Sequence, residues 1–149
     1  MAKRKSLRSD PCPVARALDV IGERWALLIV RDAFDGMRRF GEFQKSLGVA
    51  RNILADRLQA LVDEGIFTVA PASDGSAYQE YVLASKGLAL FPVVVGLRQW
   101  GEAQLFDKGE AHSTLLEKDS GAALPAMQVV SKDGRVLQVG DTQVRKVRP

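Results

Sequence analysis

The stretch from residue 47, LGVARNILADRLQALVDEGIF, limits what this chain can fold into. Past a turn at Gly48, helical spacing lines up Ile53, Leu54, Leu58, Leu61 and Val62 on one side. That stripe needs a partner surface to bury it. The opening of the same helix, Arg51-Asn52, is charged and polar. Arg57 and Gln59 fall on other faces. The helix therefore starts at a surface and is greasy behind its first turn.

The neighbouring segments supply partners. CPVARALDVIG carries Val14, Ala17, Leu18 and Ile21 at helical spacing, with Pro13 in the first turn and Gly22 as the stop. RWALLIVRDAFDG is apolar nearly all round and predicts a central, buried helix ended by Asp35-Gly36. MRRF is either a strand fragment or a turn. FGEFQKSLG spaces Phe40, Phe43 and Leu47 for a short amphipathic helix, broken by Gly48. Gly65 closes the helix that begins at Arg51. The period then changes. IFTVAPASDGSAYQEYVLA holds two β-like runs around Asp74-Gly75, a hairpin signal. Ser85 is placed to cap a long apolar helix from about Lys86 to Phe106, which Pro92 either kinks or starts. The class is mainly α (α+β). Its order is that of a winged helix-turn-helix with a two-stranded wing and a long C-terminal helix.

Composition removes several chemistries. The single cysteine, Cys12, excludes an internal disulfide and a metal site built on several thiolates. The single histidine, His112, lies in a polar stretch with no nucleophile motif near it. No catalytic residue, cofactor or metal is therefore expected, and an enzyme is not. No apolar run nears the ~20 residues of a membrane span. A basic start without an apolar segment behind it gives no secretory signal, so a cytoplasmic location is expected.

The net charge is only +3, but it is uneven. Lys3, Arg4, Lys5 and Arg8 crowd the first ten residues, and Arg38, Arg39, Lys45, Arg51 and Arg57 the helix pair. That pattern suits a local polyanion site. In a winged helix-turn-helix the second helix of the pair offers its N-terminal residues to the major groove. Arg51 can pair with guanine or phosphate and Asn52 with adenine, at a helix end already favourable to phosphate. The alternative is a winged-helix protein-interaction module without specific DNA binding. Apolar residues would then be expected where Arg38-Arg39 and Arg51-Asn52 stand.

CPVARALDVIGERWALLIVRDAFDGMRRFGEFQKSLG, LADRLQALVDEGIF and YVLASKG, in this order, closely resemble the HxlR-type winged-helix regulators, relatives of the MarR type. The resemblance covers roughly residues 11–100. It implies a homodimer on double-stranded DNA with a pseudo-palindromic operator. It puts Arg51 and Asn52 in the recognition helix and residues 73–77 at the wing tip. Expected DNA contacts are Arg38, Arg39, Arg51, Asn52, Arg57, Gln59, Ser73 and Ser76. Leu18, Phe91, Val95 and Trp100 are candidates for a dimer seam or for monomer core. Any small-molecule effector is left unknown.

There are departures from the family pattern. Ala50 replaces a capping Ser or Thr, a loss of ~1 kcal/mol. The wing ASDGSA has no cation, which predicts a weak hold on the minor groove unless the arm KRKSLR compensates. Residues 1–10 read as that arm, 11–109 as the DNA-binding and dimerisation domain, and 110–149 as a C-terminal extension. Some relatives carry a zinc ribbon in such an extension. Here Ser120, Val130 and Asp133 take the thiolate positions, with Gly121, Pro125 and Gly134 kept. A small metal-free β-hairpin around Asp133-Gly134, or a flexible tail, is expected. Cys12 sits between two prolines at a helix start with Arg16 one turn on. By resemblance it is a candidate redox sensor, and otherwise a small filler at the seam.

Overall fold

The computed structural model describes residues 5–147. Its elements are α1 (Pro13–Ile21), α2 (Arg24–Phe34), α3 (Phe40–Leu47), α4 (Arg51–Asp63), β1 (Phe67–Pro71), β2 (Gln79–Leu83), α5 (Ser85–Leu88) and α6 (Phe91–Gln104), with a short 3-10 turn at Val139–Asp141. The chain divides into two compact units, Met1–Val94 and Val95–Pro149. The division falls inside α6, upstream of the 109/110 boundary expected from the sequence.

In the first unit, α2 is the central element. Ile29 and Val30 are fully buried, packed with Phe43 of α3 and with Leu54, Leu58 and Leu61 of α4. Burying each such side chain stabilises the fold by about 1.5–3 kcal/mol. Ile53, which the spacing assigns to the same stripe, is exposed. It lies one residue, ~100°, round the helix from Leu54 and misses the spacing of four and three that joins Leu54, Leu58 and Leu61. Glu23 caps α2, its carboxylate accepting the N–H groups of Trp25 at 3.0 Å and Ala26 at 3.3 Å. Ala50 precedes α4 with no side-chain cap, as its methyl group dictates.

The hairpin forms where Asp74-Gly75 predicts it. β1 and β2 pair antiparallel in the register Phe67↔Leu83, Val69↔Tyr81 and Pro71↔Gln79, with Gly75 at φ 77° in the loop. Residues 37–38 do not form a strand; one bond, Tyr81 N–H to Arg38 C=O at 2.7 Å, ties them to β2. The long helix expected from Lys86 is broken after Leu88, and Phe91–Gln104 starts afresh around Pro92. Ser85 does not cap. The N-cap residue is Ala84, without a side-chain bond.

α5 sits tightly on the start of the wing. A Cβ on Gly87 would stand 2.4 Å from the Ile66 carbonyl oxygen and 2.8 Å from Leu83 Cδ2. Ile66 O also accepts the Ala84 N–H at 2.9 Å, so the backbone there is not free to retreat. Gly87→Ala is expected to lower stability by about 1–3 kcal/mol. A urea titration checks this, by a fall in midpoint at constant slope.

The second unit is organised by the C-terminal part of α6. Gln99 donates to the Pro125 carbonyl at 3.0 Å and accepts the Met127 N–H at 2.7 Å, while Arg98 holds the Ser113 carbonyl and hydroxyl at 3.1 and 2.9 Å. The extension contains two tight turns, each closed by one β-bridge, Leu116↔Ala123 and Val130↔Val136. Gly121 at φ 71° and Gly134 at φ 86° make these turns. The hairpin expected at Asp133-Gly134 is thus a single-bridge turn. Ser131 accepts the Arg135 N–H at 2.9 Å. Ser131 and Asp133 also bond through their side chains.

Candidate nucleic-acid interface

The interface is built around α4. Its buried side chains, Leu54, Leu58 and Leu61, turn Arg51, Asn52, Asp56, Gln59 and Asp63 to the exposed side. Arg51 and Asn52 occupy the first two helical positions, where backbone N–H groups are unpaired and the helix dipole is positive. The Arg51 guanidinium lies over the Phe40 ring, 5.0 Å from its centroid. That cation–π contact directs Arg51 toward the start of α3. Gln59 is exposed and donates to Asp63 at 2.8 Å.

An open groove of roughly 750 Å³ runs between the start of α3, the start of α4 and the base of the wing. Arg39, Phe40, Glu42, Arg51, Tyr78 and Tyr81 are among its lining residues. Glu42 fixes the entry to α3 by accepting the N–H groups of Arg38 at 3.1 Å and Arg39 at 3.0 Å. Edge-to-face contacts among Phe43, Phe67 and Tyr81 fix the wing base against α3, with ring centroids 6.3–6.5 Å apart.

Arg39 reaches the wing. Its Nη2 donates to Asp74 Oδ2 at 2.6 Å and to Ser76 Oγ at 3.4 Å, and its guanidinium stands 5.3 Å from the Tyr78 ring centroid. Asp74 Oδ1 also accepts the Ser76 N–H at 2.9 Å. The Ser76 N–H and hydroxyl, with Arg39, hold the Asp74 carboxyl down at about 2. The hydrogen bond that Arg39 donates to Asp74 raises the Arg39 pKa in turn. Glu80 of β2 is buried. It accepts the Ser73 N–H at 2.7 Å, which lowers its pKa and folds the wing loop inward.

Several expected contacts lie elsewhere. Arg57 donates to Glu23 Oε2 at 2.9 Å, so it braces α4 against the start of α2. Its side chain remains 40% exposed and engages Glu23 through Nε. The helical period puts residue 57 beside Leu54 and Leu61 rather than beside Asn52. Arg38 is exposed and lines a second groove with Met37, Leu83 and Leu88, whereas Arg39 lines the first. Ser73 meets Glu80 through its backbone. Of the basic arm, Lys3 and Arg4 lie outside the described residues. Arg8 pairs with Glu64, at the end of α4 remote from Arg51. The pairings of Arg39 with Asp74 and of Arg57 with Glu23 join residues more than thirty positions apart, and no local pattern announces them.

Leu18, Phe91 and Trp100 are 48%, 43% and 60% exposed, whereas Val95 is 6% exposed and belongs to the monomer's own core. Phe91 meets Phe34 edge-to-face at 5.3 Å. Cys12 is exposed at the N-cap of α1, its N–H bonded to Asp10 Oδ1 at 2.8 Å. Among the described residues, no three His, Cys, Asp or Glu side chains gather as a metal site, and no helix is long and apolar enough to cross a membrane.

Residues 20–108 match the HxlR-like helix-turn-helix family. The chain belongs to that family. The HxlR-like fold here is similar to the crystal structure of PA1607, described as a candidate transcription factor. That similarity has a TM-score of 0.90 and 54% identity, over 95% of this chain and 99% of the other. It is also similar to the redox regulator HypR in its reduced form (TM-score 0.57, 31% identity, 62% of this chain and 92% of the other). Among sequences, it is 47% identical over 92 residues to the uncharacterized HTH-type transcriptional regulator Rv3095 of Mycobacterium tuberculosis, covering 62% of this chain but 58% of that relative's length. YybR of Bacillus subtilis, another uncharacterized HTH-type transcriptional regulator, is 30% identical over 69% of this chain and 85% of its own length.

The depressed carboxyl of Asp74 has a consequence for pH. Its bonds to Ser76 and Arg39 contribute above the ordinary value of 3.8 and are lost as pH falls through about 2. A carboxylate NMR titration should give a midpoint near 2 for Asp74, rising only part of the way in Arg39→Ala, because the Ser76 N–H is the larger cause. A midpoint near 3.8 in the unmodified protein would remove this account of the wing loop.

Proposed function

We propose that this chain is a homodimeric, sequence-specific DNA-binding transcription regulator. The observation that carries the reading is the exposed Arg51-Asn52 pair at the uncapped start of α4. A helix presented in this way can enter a major groove, with Arg51 on guanine or phosphate and Asn52 on adenine. Asp56 and Gln59 extend the same exposed side. The family membership and the HTH-type regulator names of the relatives support the same reading.

Dimerisation is proposed through apolar surface left uncovered in the monomer. Leu18 and Val14 of α1, and Phe91, Leu97 and Trp100 of α6, are exposed. A twofold dimer would set two α4 helices about 34–36 Å apart on a pseudo-palindrome. A cytoplasmic location accords with that role. Thiol response is proposed at Cys12, which is exposed and is the chain's only cysteine, so a disulfide would join two subunits. The similarity to HypR, known in reduced and oxidised forms, supports this part.

The test is a mobility-shift titration on DNA upstream of the protein's own gene, under reducing conditions and after mild oxidation. Arg51→Ala is expected to weaken binding by ~1–3 kcal/mol if Arg51 meets a base. If it meets only phosphate, the loss is uniform over sequences and the salt slope becomes shallower. Equal binding by Arg51→Ala and the unmodified protein would sink the α4 assignment. Oxidation is expected to abolish the shift in the unmodified protein but not in Cys12→Ser. Indifference of both to oxidant would reduce Cys12 to a filler.

A further inference from the structure

The wing loop ASDGSA contains an acid and no base, an odd tip for a hairpin that approaches a polyanion. The structure resolves the oddity through Arg39. This side chain leaves the start of α3 and is held at the wing by three contacts: the Asp74 carboxylate at 2.6 Å, the Ser76 hydroxyl at 3.4 Å and the Tyr78 ring face at 5.3 Å. The clamp is itself braced. Asp74 is fixed by the Ser76 N–H, and the loop is turned in by the buried Glu80 accepting Ser73 N–H at 2.7 Å. The Arg39 side chain remains 32% exposed, and the bonds to Asp74 and Ser76 both use Nη2, so its other N–H groups are left for a ligand. Arg39 and Arg51 line one groove, Arg51 from the start of α4 and Arg39 from beside the wing.

Resting on the DNA-binding reading above, we infer that Arg39 is the wing's missing cation: Asp74, Ser76 and Tyr78 hold it as a preorganised minor-groove reader, and Asp74 is the positioning residue. A free arginine on a surface gives a diffuse charge that any phosphate can use. An arginine fixed by a carboxylate and an aromatic face presents its remaining donors in one direction. Its preference is then for a narrow, A·T-rich minor groove, where the negative potential is deepest. Asp74 costs general attraction for phosphate. In return it confers discrimination, which a lysine in place of Arg39 could not reproduce, since a clamped ammonium has no planar fork left to present to the groove.

The test uses the full chain and a duplex that the unmodified protein selects from a randomised pool, compared with a scrambled duplex of the same composition. Arg39→Lys and Asp74→Asn are each expected to lower the selected-to-scrambled affinity ratio by roughly fivefold or more. Arg39→Lys should leave the salt slope unchanged, because the charge is kept. The double variant should be no worse than Arg39→Lys alone, as expected when two residues act as one unit. Replacing A·T by G·C in the flank beside the recognised half-site should weaken the unmodified protein and leave Arg39→Lys indifferent. If Asp74→Asn tightens both duplexes by the same factor with the ratio unchanged, the contact is only an electrostatic lock and the inference is overturned. An unchanged ratio in Arg39→Lys overturns it as well. If the pool yields no enriched sequence at all, the DNA-binding reading fails, and the inference with it.

Discussion

Phe43, Phe67 and Tyr81 meet edge-to-face where α3, β1 and β2 converge, and the geometry of the interface depends on that contact. Phe43 and Phe67 are fully buried, and Tyr81 is half-buried at the wing base. Aromatic pairs of this kind add about 0.5–1.5 kcal/mol beyond the area they bury. They also set an angle. A two-stranded hairpin has no stability of its own in water, so the wing takes its direction from the rings beneath it. The Tyr81 N–H bond to the Arg38 carbonyl adds a second point of attachment. Arg39 follows directly in sequence, which is why its side chain can reach the wing loop at all.

The basic residues of the first unit differ less in charge than in what restrains them. Arg8 is tied to Glu64 and Arg57 to Glu23, so both serve the packing of α4. Arg51 rests on an aromatic ring and Arg39 on a ring and a carboxylate. Ring contacts leave all the guanidinium donors unspent, whereas each carboxylate pair takes one nitrogen. The charge offered to a polyanion is therefore more local than the count of lysines and arginines implies. Exposed ion pairs contribute little to stability, typically 0–1 kcal/mol, and their effect lies in orientation.

The second unit has a different balance. It is short of regular structure, and its two turns are closed by single bridges and polar clasps. Met127, Val129, Val130 and Val136 are exposed around the second turn, and Trp100 and Leu105 near the end of α6. Apolar surface of this kind on a small unit marks a place where more burial is available. Gly121 and Gly134 take positive φ at these turns. Hydrogen bonds made by Ser120, Ser131 and Asp133 close the turns.

Local chemistry determined the elements. Apolar spacing with Pro13, Gly22, Gly48 and Gly65 marks out α1 to α4, because helical period and chain punctuation act within a few residues. Asp74-Gly75 determines the hairpin for the same reason, and Ala50 determines that α4 starts without a side-chain cap. Arg51 and Asn52 were legible as exposed because the stripe behind them is strong. What required the tertiary structure was every partnership across distance. The alternation of β2 could not show Glu80 turned inward, since the N–H that draws it in belongs to Ser73 across the hairpin. The stripe could not show that Arg57 pairs with Glu23. Nor could a wing sequence with one acid and no base disclose that its cation arrives from residue 39. Side-chain periodicity reports which face is buried. Only packing decides which charge on the other face has already been taken.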